Sequence, residues 1–393
     1  TRRRPGGHRA TSPQHPAHPE DPGGVVRRTS PRRQPLPLSH EPPTTVVEAT
    51  SRGWPVSGPI RVAHLLEQCW HRVPGGTAVA AVGLAQALHA RPDVDVTGIT
   101  ARHASGPPHH LDPGVPLAAS RLPRAVLYEA WHRTGRPRVD RLVGLPDLVH
   151  ATGGAVPATT RPLVATIHDL AWRHHPEAAT RRGRRLFEAW LADSRRADRV
   201  VCPSEATRRH LADAGFPDDR VAVVPLGADP VPAAPDRARR LRDDHGLDGP
   251  VALWVGTVEP RKNLPVLARA VAAVDGLTLV VVGPAGWGED LSAALAPLAD
   301  RVVVAGPVDE ATKHAWFDAA DVFCLPSLLE GFGLPVLEAM GHGTPVVTST
   351  DTATAEVAGD AGLAVDPTDV DAVADGLRQV LNDPALAARL AEA

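Results

Sequence analysis

The sequence contains little cysteine and little lysine, and it has no long apolar segment. Its three cysteines are far apart among 393 residues and show neither disulfide nor zinc spacing, so we expect buried, reduced thiols and a cytoplasmic location. No apolar run approaches the roughly eighteen residues that cross a bilayer, so the sequence predicts no membrane-spanning helix. The first residues, Thr1–Pro5, contain no apolar segment typical of a secretory signal.

Lysine is the rarer basic residue by far. Lys262 and Lys313 are the only lysines among the 42 lysine and arginine residues. Because arginine supplies nearly all the positive charge of this chain, a lysine inside a chemical motif is informative.

Residues 1–57 differ in composition from the rest of the chain. They contain eleven prolines, and nine arginines against four acidic residues, without apolar periodicity. Such a segment cannot bury enough apolar surface to offset the entropy lost on ordering, so we predict a disordered tail. Only Trp54 is aromatic in this segment, and we therefore expect no nucleic-acid partner.

After the tail, strand-like and helical segments alternate in two series, separated by a proline-rich break at 226–235. Predicted strands of the first series lie at 60–66, 94–99, 147–150, 163–167, 199–202 and 221–224. Those of the second series lie at 251–255, 277–282, 302–305, 321–325 and 345–348. We predict an α/β protein whose two Rossmann-like domains, residues 58–229 and 230–393, face each other across a cleft.

A glycine-rich helix start in the second series lies between two glutamates, Glu330 and Glu338. The intervening Gly331-Phe-Gly333-Leu-Pro335 places a proline in the first turn of a helix, and its glycines allow a ligand close to the backbone. Exposed N–H groups there favour an anion such as a diphosphate. Carboxylates instead accept hydrogen bonds from hydroxyl groups, so we expect sugar or ribose hydroxyls at both glutamates, with Glu338 in the first turn. An acidic helix start that only complements the dipole is the alternative.

Two adjacent cations, Arg261 and Lys262, follow the predicted strand at 251–255. The segment Thr257-Val-Glu-Pro-Arg-Lys-Asn263 separates this strand from a helix, which places both cations at the carboxyl edge of the sheet. There they can hold a diphosphate and stabilise the charge that develops on a departing phosphate. A solvated basic turn is the alternative.

These motifs, in this order, resemble the family 4 glycosyltransferases of the GT-B fold over residues 60–393. Shorter motifs that support the resemblance are Gly75-Gly76, Thr166–Leu170, Cys202–Ser204, Val224–Asp229, Pro326-Ser327, Gly343–Val346 and Glu356–Gly359. The resemblance implies a retaining enzyme that transfers a hexose from a GDP- or UDP-linked sugar, without a metal or a tightly bound cofactor. The version at Thr257–Asn263 resembles the mannosyltransferase branch. The acceptor is expected to be a glycan, a lipid-linked molecule or a small molecule.

The resemblance also implies which residues bind the donor. Glu330 would contact hydroxyls of the transferred sugar, and Glu338 would contact the ribose. Arg261 and Lys262 would bind the diphosphate. The backbone would complete this site. N–H groups of Gly333 and Leu334, at the start of the second-domain helix, would bind the phosphates, and Gly76 would let a loop of the first domain approach them.

His168 is expected in the cleft, near the donor sugar and the acceptor. The residues that the resemblance brings to the reacting centre are Glu330, His168, Arg261 and Lys262. Without the family context, a hydrogen-bonded histidine at the end of a strand is the less favoured alternative for His168.

The sequence departs from the family pattern at two positions, and other functions stay open. Thr257 stands where many members carry arginine, and the chain stops at Ala393, before a last helix that members often carry. A sugar-nucleotide epimerase on the same fold would need more catalytic carboxylates and histidines in the cleft. A glycogen- or starch-synthase-like enzyme would carry Lys-x-Gly-Gly where this chain has Arg72–Gly76. A non-catalytic sugar-nucleotide-binding protein is disfavoured by the intact glutamates and cations.

An arginine-rich helix is predicted within residues 177–196. Its segment Arg181–Leu191 combines four arginines with five apolar residues. Contact with the anionic inner face of a membrane is one interpretation. The favoured interpretation is an amphipathic helix with a solvated basic face.

Overall fold

Two parallel β-sheets organise the described part of the chain. The computed structural model describes residues 58–71, 75–229, 231–286 and 289–392. Both sheets lie within one compact unit, Val56–Ala393. The predicted disordered tail, residues 1–57, lies outside the described residues.

The first sheet has seven strands. They are β1 (Ile60–Leu65), β2 (Val94–Thr100), β3 (Leu117–Ala119), β4 (Leu148–Ala151), β5 (Leu163–Thr166), β6 (Arg199–Cys202) and β7 (Val221–Val223). Their helices are α1 (Gly75–His89), α2 (Arg124–Thr134), α3 (Ala171–His174), α4 (Arg181–Ser194) and α5 (Glu205–Asp213). The strand order β3-β2-β1-β4-β5-β6-β7 reverses between β1 and β4, where parallel sheets leave a crevice at the carboxyl ends.

The second sheet has six strands and repeats this design. They are β8 (Val251–Val255), β9 (Thr278–Val282), β10 (Val302–Gly306), β11 (Val322–Leu325), β12 (Val346–Ser349) and β13 (Gly362–Val365). Its helices are α6 (Pro235–Asp244), α7 (Leu264–Ala272), α8 (Leu291–Leu295), α9 (Glu310–Ala319), α10 (Leu334–Gly341), α11 (Ala353–Ala358), α12 (Val370–Asn382) and α13 (Pro384–Glu392). The order β10-β9-β8-β11-β12-β13 reverses between β8 and β11, so both motif turns follow the strands at this switch point.

The structure confirms the predicted α/β architecture of two Rossmann-like domains, and it adds elements that the sequence did not reveal. The range 101–146, in which we predicted no strand, contains β3 and also α2. Helix α6, which we did not predict, begins at Pro235, the last residue of the predicted break. Only Ala238 of its ten residues is buried, so its apolar stripe is weak. The domain boundary at residue 229 stays a prediction.

The core of the second domain explains why its strands were easy to predict. All five residues of β8 are buried, as in a parallel strand covered on both faces. Fully buried aromatic rings pack in this core, among them Trp254, Trp316, Phe317 and Phe323.

The three cysteines are unpaired and buried, as expected, and burial raises the pKa of the Cys202 thiol to about 12.

No helix in the ranges that the structure describes is both long and apolar enough to cross a membrane.

Replacing Phe323 by alanine tests the core of the second domain. This side chain on β11 is fully buried, with its ring 5.6 Å from that of Phe317, so we expect the substitution to cost about 3–5 kcal/mol and to lower the midpoint of thermal unfolding clearly. The matched control is Phe187→Ala on α4, because that ring is only half-buried. Equal shifts for the two variants would contradict the described packing of β11.

Candidate active site

Arg261 and Lys262 lie in a tight turn between β8 and α7, where the sequence predicts them. A single 3-10 turn, Pro260–Lys262, follows the strand, and Asn263 takes a left-handed conformation with φ 56° before α7 begins. The Asn263 side-chain amide donates to the carbonyl of Pro367 at 2.6 Å. This turn holds both cations at the carboxyl edge of the second sheet.

The glycine-rich segment after β11 starts α10, as predicted. Gly333 has φ 104°, and a Cβ there would lie 2.6 Å from Cγ2 of Thr354, so only glycine fits without displacement. Pro335 stands in the first turn. Our placement of Glu338 in that turn is wrong, because α10 begins at Leu334 and Glu338 is its fifth residue.

Glu330 joins the two motif turns. Its Oε2 accepts from Nη1 of Arg261 at 2.7 Å, and its Oε1 accepts from Nζ of Lys262 at 2.7 Å. The Ser327 hydroxyl donates to Oε1 at 2.9 Å. Arg261 also pairs with Glu259 at 2.7 Å. The structure thus brings three of the predicted site residues into one charge cluster, with Glu259 and Ser327 as members to which the sequence assigned no role.

The cluster controls the charge of its own members. Burial alone would raise the pKa of Glu330, but the attraction of Arg261 and Lys262 outweighs it and lowers this pKa to about 2. Burial raises the pKa of Glu259, although the same two cations oppose the rise. Glu330 is therefore a carboxylate at neutral pH, and Arg261 stays protonated.

Glu338 belongs to a different contact group from Glu330. Its Oε1 accepts from Nζ of Lys313 at 2.9 Å, and the same ammonium donates to Glu310 on α9 at 2.7 Å. Burial raises the pKa of Glu338, and Lys313 opposes this rise. We did not assign a role to Lys313 from the sequence, although the scarcity of lysine could have drawn attention to it.

His168 lies just after β5, half-buried at the edge of the first sheet. Its Nε2 donates to the carbonyl of Thr152 at 2.9 Å, which leaves the lone pair on Nδ1. Burial lowers the pKa of His168, so the ring is neutral at neutral pH. The residue can accept a hydrogen bond but does not carry a positive charge.

The two domains touch through the glycine-rich segment. A Cβ on Gly331 would overlap the carbonyl oxygen of His168, and one on Gly76 would lie 3.2 Å from Cδ1 of Leu334. Ser204, which caps α5, donates to the carbonyl of Gly331 at 2.7 Å. These contacts bring His168 and Gly76 of the first domain to the start of α10.

One group of described side chains has the composition of a metal site. Ligand atoms of Glu310, His314 and Glu338 lie within 4.8 Å of one another. The Lys313 ammonium, bonded to both carboxylates, already supplies positive charge there. We therefore assign no metal to this group.

The arginine-rich helix predicted within residues 177–196 is α4. Thr180 caps it, and Arg181, Arg182 and Arg185 are exposed on its surface. The two aromatic rings of this helix, Phe187 and Trp190, pack against each other, and they also pack against Trp172 and Tyr128, respectively. Membrane contact stays the less favoured interpretation of this helix.

Two family models match the chain, one in each domain. Residues 74–231 match the model described as Glycosyltransferase Family 4. Residues 249–383, which include both motif turns, match the model described as Glycosyl transferases group 1.

Individual relatives extend these matches. The chain is 33% identical over 361 residues to a D-inositol 3-phosphate glycosyltransferase of Acidothermus cellulolyticus, covering 80% of each protein. It is 32% identical over 249 residues to O-antigen chain mannosyltransferase B of Escherichia coli, covering 60% of this chain and 65% of that protein. A crystal structure of Anabaena HepE with UDP and glucose has a TM-score of 0.64 at 19% identity, over 84% of this chain and 92% of that one. At that identity, the structural likeness concerns the fold.

Replacing Glu330 by glutamine tests the charge cluster through its pH dependence. The carboxyl pKa lies near 2 in the folded chain and near 4.5 when unperturbed, so the unfolded chain binds the proton first as the pH falls. The ion pairs stabilise the fold above about pH 4.5, and this stabilisation is lost towards pH 2. We expect the difference in melting temperature between wild type and Glu330→Gln to be largest near pH 7 and to shrink below pH 4.5. The control Glu129→Gln, in an exposed ion pair with Arg133, should show almost no difference at either pH.

Replacing Gly331 by alanine tests the contact between the domains. The added methyl group would overlap the His168 carbonyl oxygen, so either the glycine-rich segment or the domain contact must shift, and we expect a lower melting temperature. The control is Gly341→Ala in the last turn of α10. A Cβ at Gly341 would meet no other atom within reach, so this substitution should leave the stability unchanged or increase it. Equal behaviour of the two variants would contradict the close approach at Gly331.

Proposed function

The chain belongs to glycosyltransferase family 4, and we propose that it transfers a hexose from a nucleoside-diphosphate sugar to a glycan, lipid-linked or small-molecule acceptor with retention of anomeric configuration. The observation that carries this proposal is the charge cluster of Glu330, Arg261 and Lys262 at the switch point of the second sheet. It places cations and a carboxylate at the same edge, where a ligand with both phosphates and hydroxyls can be bound.

Arg261 and Lys262 are proposed to bind the diphosphate without releasing Glu330. A guanidinium has five N–H donors and an ammonium has three, so each cation can keep its carboxylate contact and still donate to a phosphate oxygen. N–H groups at the start of α10, including those of Gly333 and Leu334, would add donors on the same side. Together they would stabilise the negative charge that grows on the departing diphosphate.

The two glutamates are proposed to hold hydroxyl groups of the donor. Oε2 of Glu330 accepts from Arg261 and retains capacity for one further donor, which we assign to a hydroxyl of the transferred sugar. Glu338 is assigned to the ribose. Because the pKa of Glu330 is near 2, it is not a proton donor at neutral pH, and we assign it no acid role. Both of its oxygens already accept hydrogen bonds from Arg261, Lys262 and Ser327, so we assign it no nucleophilic role either.

His168 is proposed to border the sugar and the acceptor. Its neutral ring offers the Nδ1 lone pair to a hydroxyl group, and its backbone contacts the segment that carries Glu330. The side chains would then promote transfer by holding donor and acceptor in line, while the cations neutralise the leaving group. Gly76, facing Leu334, would leave room for the donor phosphates between the domains.

Mannose is the sugar that we propose for the donor. The Thr257–Asn263 segment resembles the mannosyltransferase branch, and the Escherichia coli relative is named as a mannosyltransferase. We propose GDP or UDP as the carrier; UDP is the nucleotide named for the Anabaena structure. An epimerase or a non-catalytic binding protein is not favoured, because both matched family models describe glycosyl transfer.

A donor screen with GDP-, UDP- and dTDP-sugars, with and without candidate acceptors, tests the proposal. We expect one donor to release its nucleoside diphosphate and Lys262→Ala to reduce that turnover by about 10²–10³-fold, because a donor to the leaving group is lost. Arg239→Ala removes an exposed arginine of α6 and should leave turnover unchanged. Proton NMR of the product reports the anomeric configuration. Failure of every donor, or an inverted product, would contradict the corresponding part of the proposal.

A further inference from the structure

Lys313 bridges two acidic side chains beside the proposed donor site. It lies on α9, and its ammonium donates to Glu310 at 2.7 Å and to Glu338 at 2.9 Å. The side chains of Lys313 and Glu338 are each 17% exposed, whereas that of Glu310 is 65% exposed. The bond to Glu338 is therefore the sheltered one, and the bond to Glu310 is largely solvated.

Each of the chain's two lysines forms an ion pair with one of the two motif glutamates. Lys262 bonds Glu330 and Lys313 bonds Glu338. The two glutamates differ in how fully they are held. Glu330 receives donors on both oxygens, whereas Glu338 accepts from Lys313 on Oε1 and no described residue donates to its Oε2.

A carboxylate that accepts a hydrogen bond on only one of its two oxygens can bind a hydroxyl group with the other. A glutamate has three rotatable bonds, and a charge-assisted hydrogen bond to one oxygen restricts them and orients the other oxygen. Burial favours the neutral acid at Glu338, and the Lys313 ammonium favours the charged form that accepts hydrogen bonds. Lys313 thus acts on both the orientation and the charge of this group.

We propose that Lys313 is a positioning residue for donor binding: it orients the Glu338 carboxylate so that Oε2 accepts a hydrogen bond from a ribose hydroxyl of the nucleotide. This inference rests on the proposed function, which assigns Glu338 to the ribose. Lys313 need not touch the nucleotide, because its effect passes through Glu338. The competing explanation is that Lys313 only connects α9 to α10 and stabilises the domain.

Isothermal titration with nucleotides that differ in the ribose separates these explanations. The probes are GDP, UDP and their 2′,3′-dideoxy forms, in buffer with EDTA so that Glu310, His314 and Glu338 cannot recruit a metal when the ammonium is removed. We expect Lys313→Met to weaken binding of the preferred ribonucleotide about tenfold and to change binding of its dideoxy form less than about twofold. Glu310→Gln removes the exposed partner of Lys313 and should leave both affinities within about twofold.

The outcomes distinguish this inference from the function on which it rests. Equal weakening of ribo and dideoxy forms by Lys313→Met, or no weakening in a variant that melts like wild type, overturns the role of Lys313. If Glu338→Gln discriminates between the two forms and Lys313→Met does not, only the role of Lys313 fails. If Glu338→Gln weakens the ribo and dideoxy forms equally, the assignment of Glu338 to the ribose fails together with the role of Lys313. If wild type binds neither ribonucleotide, the proposed function fails.

Discussion

The buried contact of Glu330 with Arg261 and Lys262 is the interaction on which the site depends. Ionised side chains are expensive to bury, and they persist in the interior only when paired with good geometry. Here one carboxylate satisfies a cation pair from the turn after β8, while itself belonging to the turn after β11. Loss of one of these side chains would leave a buried charge without a partner. The ion pairs therefore favour a single arrangement of the two turns.

The glycine-rich segment also forms the contact between the two domains. Gly331 approaches the His168 backbone more closely than any residue with a Cβ could, and Ser204 bonds its carbonyl. Glu356 on α11 accepts a hydrogen bond from the backbone N–H of Glu205 at 2.8 Å, at the start of α5. The segment that starts α10 is therefore supported from both domains, so the geometry of the site in the second domain depends on residues of the first.

Several residues show where sequence reasoning succeeds and where it stops. Gly333 was predictable because a glycine before a helix-starting proline indicates a special backbone conformation, and the structure has φ 104° there. Helix α6 was missed because seven of its ten residues are charged and only Ala238 is buried. Glu338 was placed in the wrong turn although Pro335 marked the helix start, because the fifth residue of a helix lies beyond the 3.6 residues of its first turn. Nothing local to Lys313 indicates its contact with Glu338, which lies 25 positions away on another helix.

The sequence by itself determined the alternation of buried strands and helices, and the turns that follow β8 and β11. Both are local consequences of apolar periodicity and of the backbone preferences of glycine and proline. Only the tertiary structure decided that Glu330 pairs with Arg261 and Lys262 and that Lys313 binds Glu338. Pairing of side chains depends on distances between segments remote in sequence, and those distances exist only after the sheets and helices have packed.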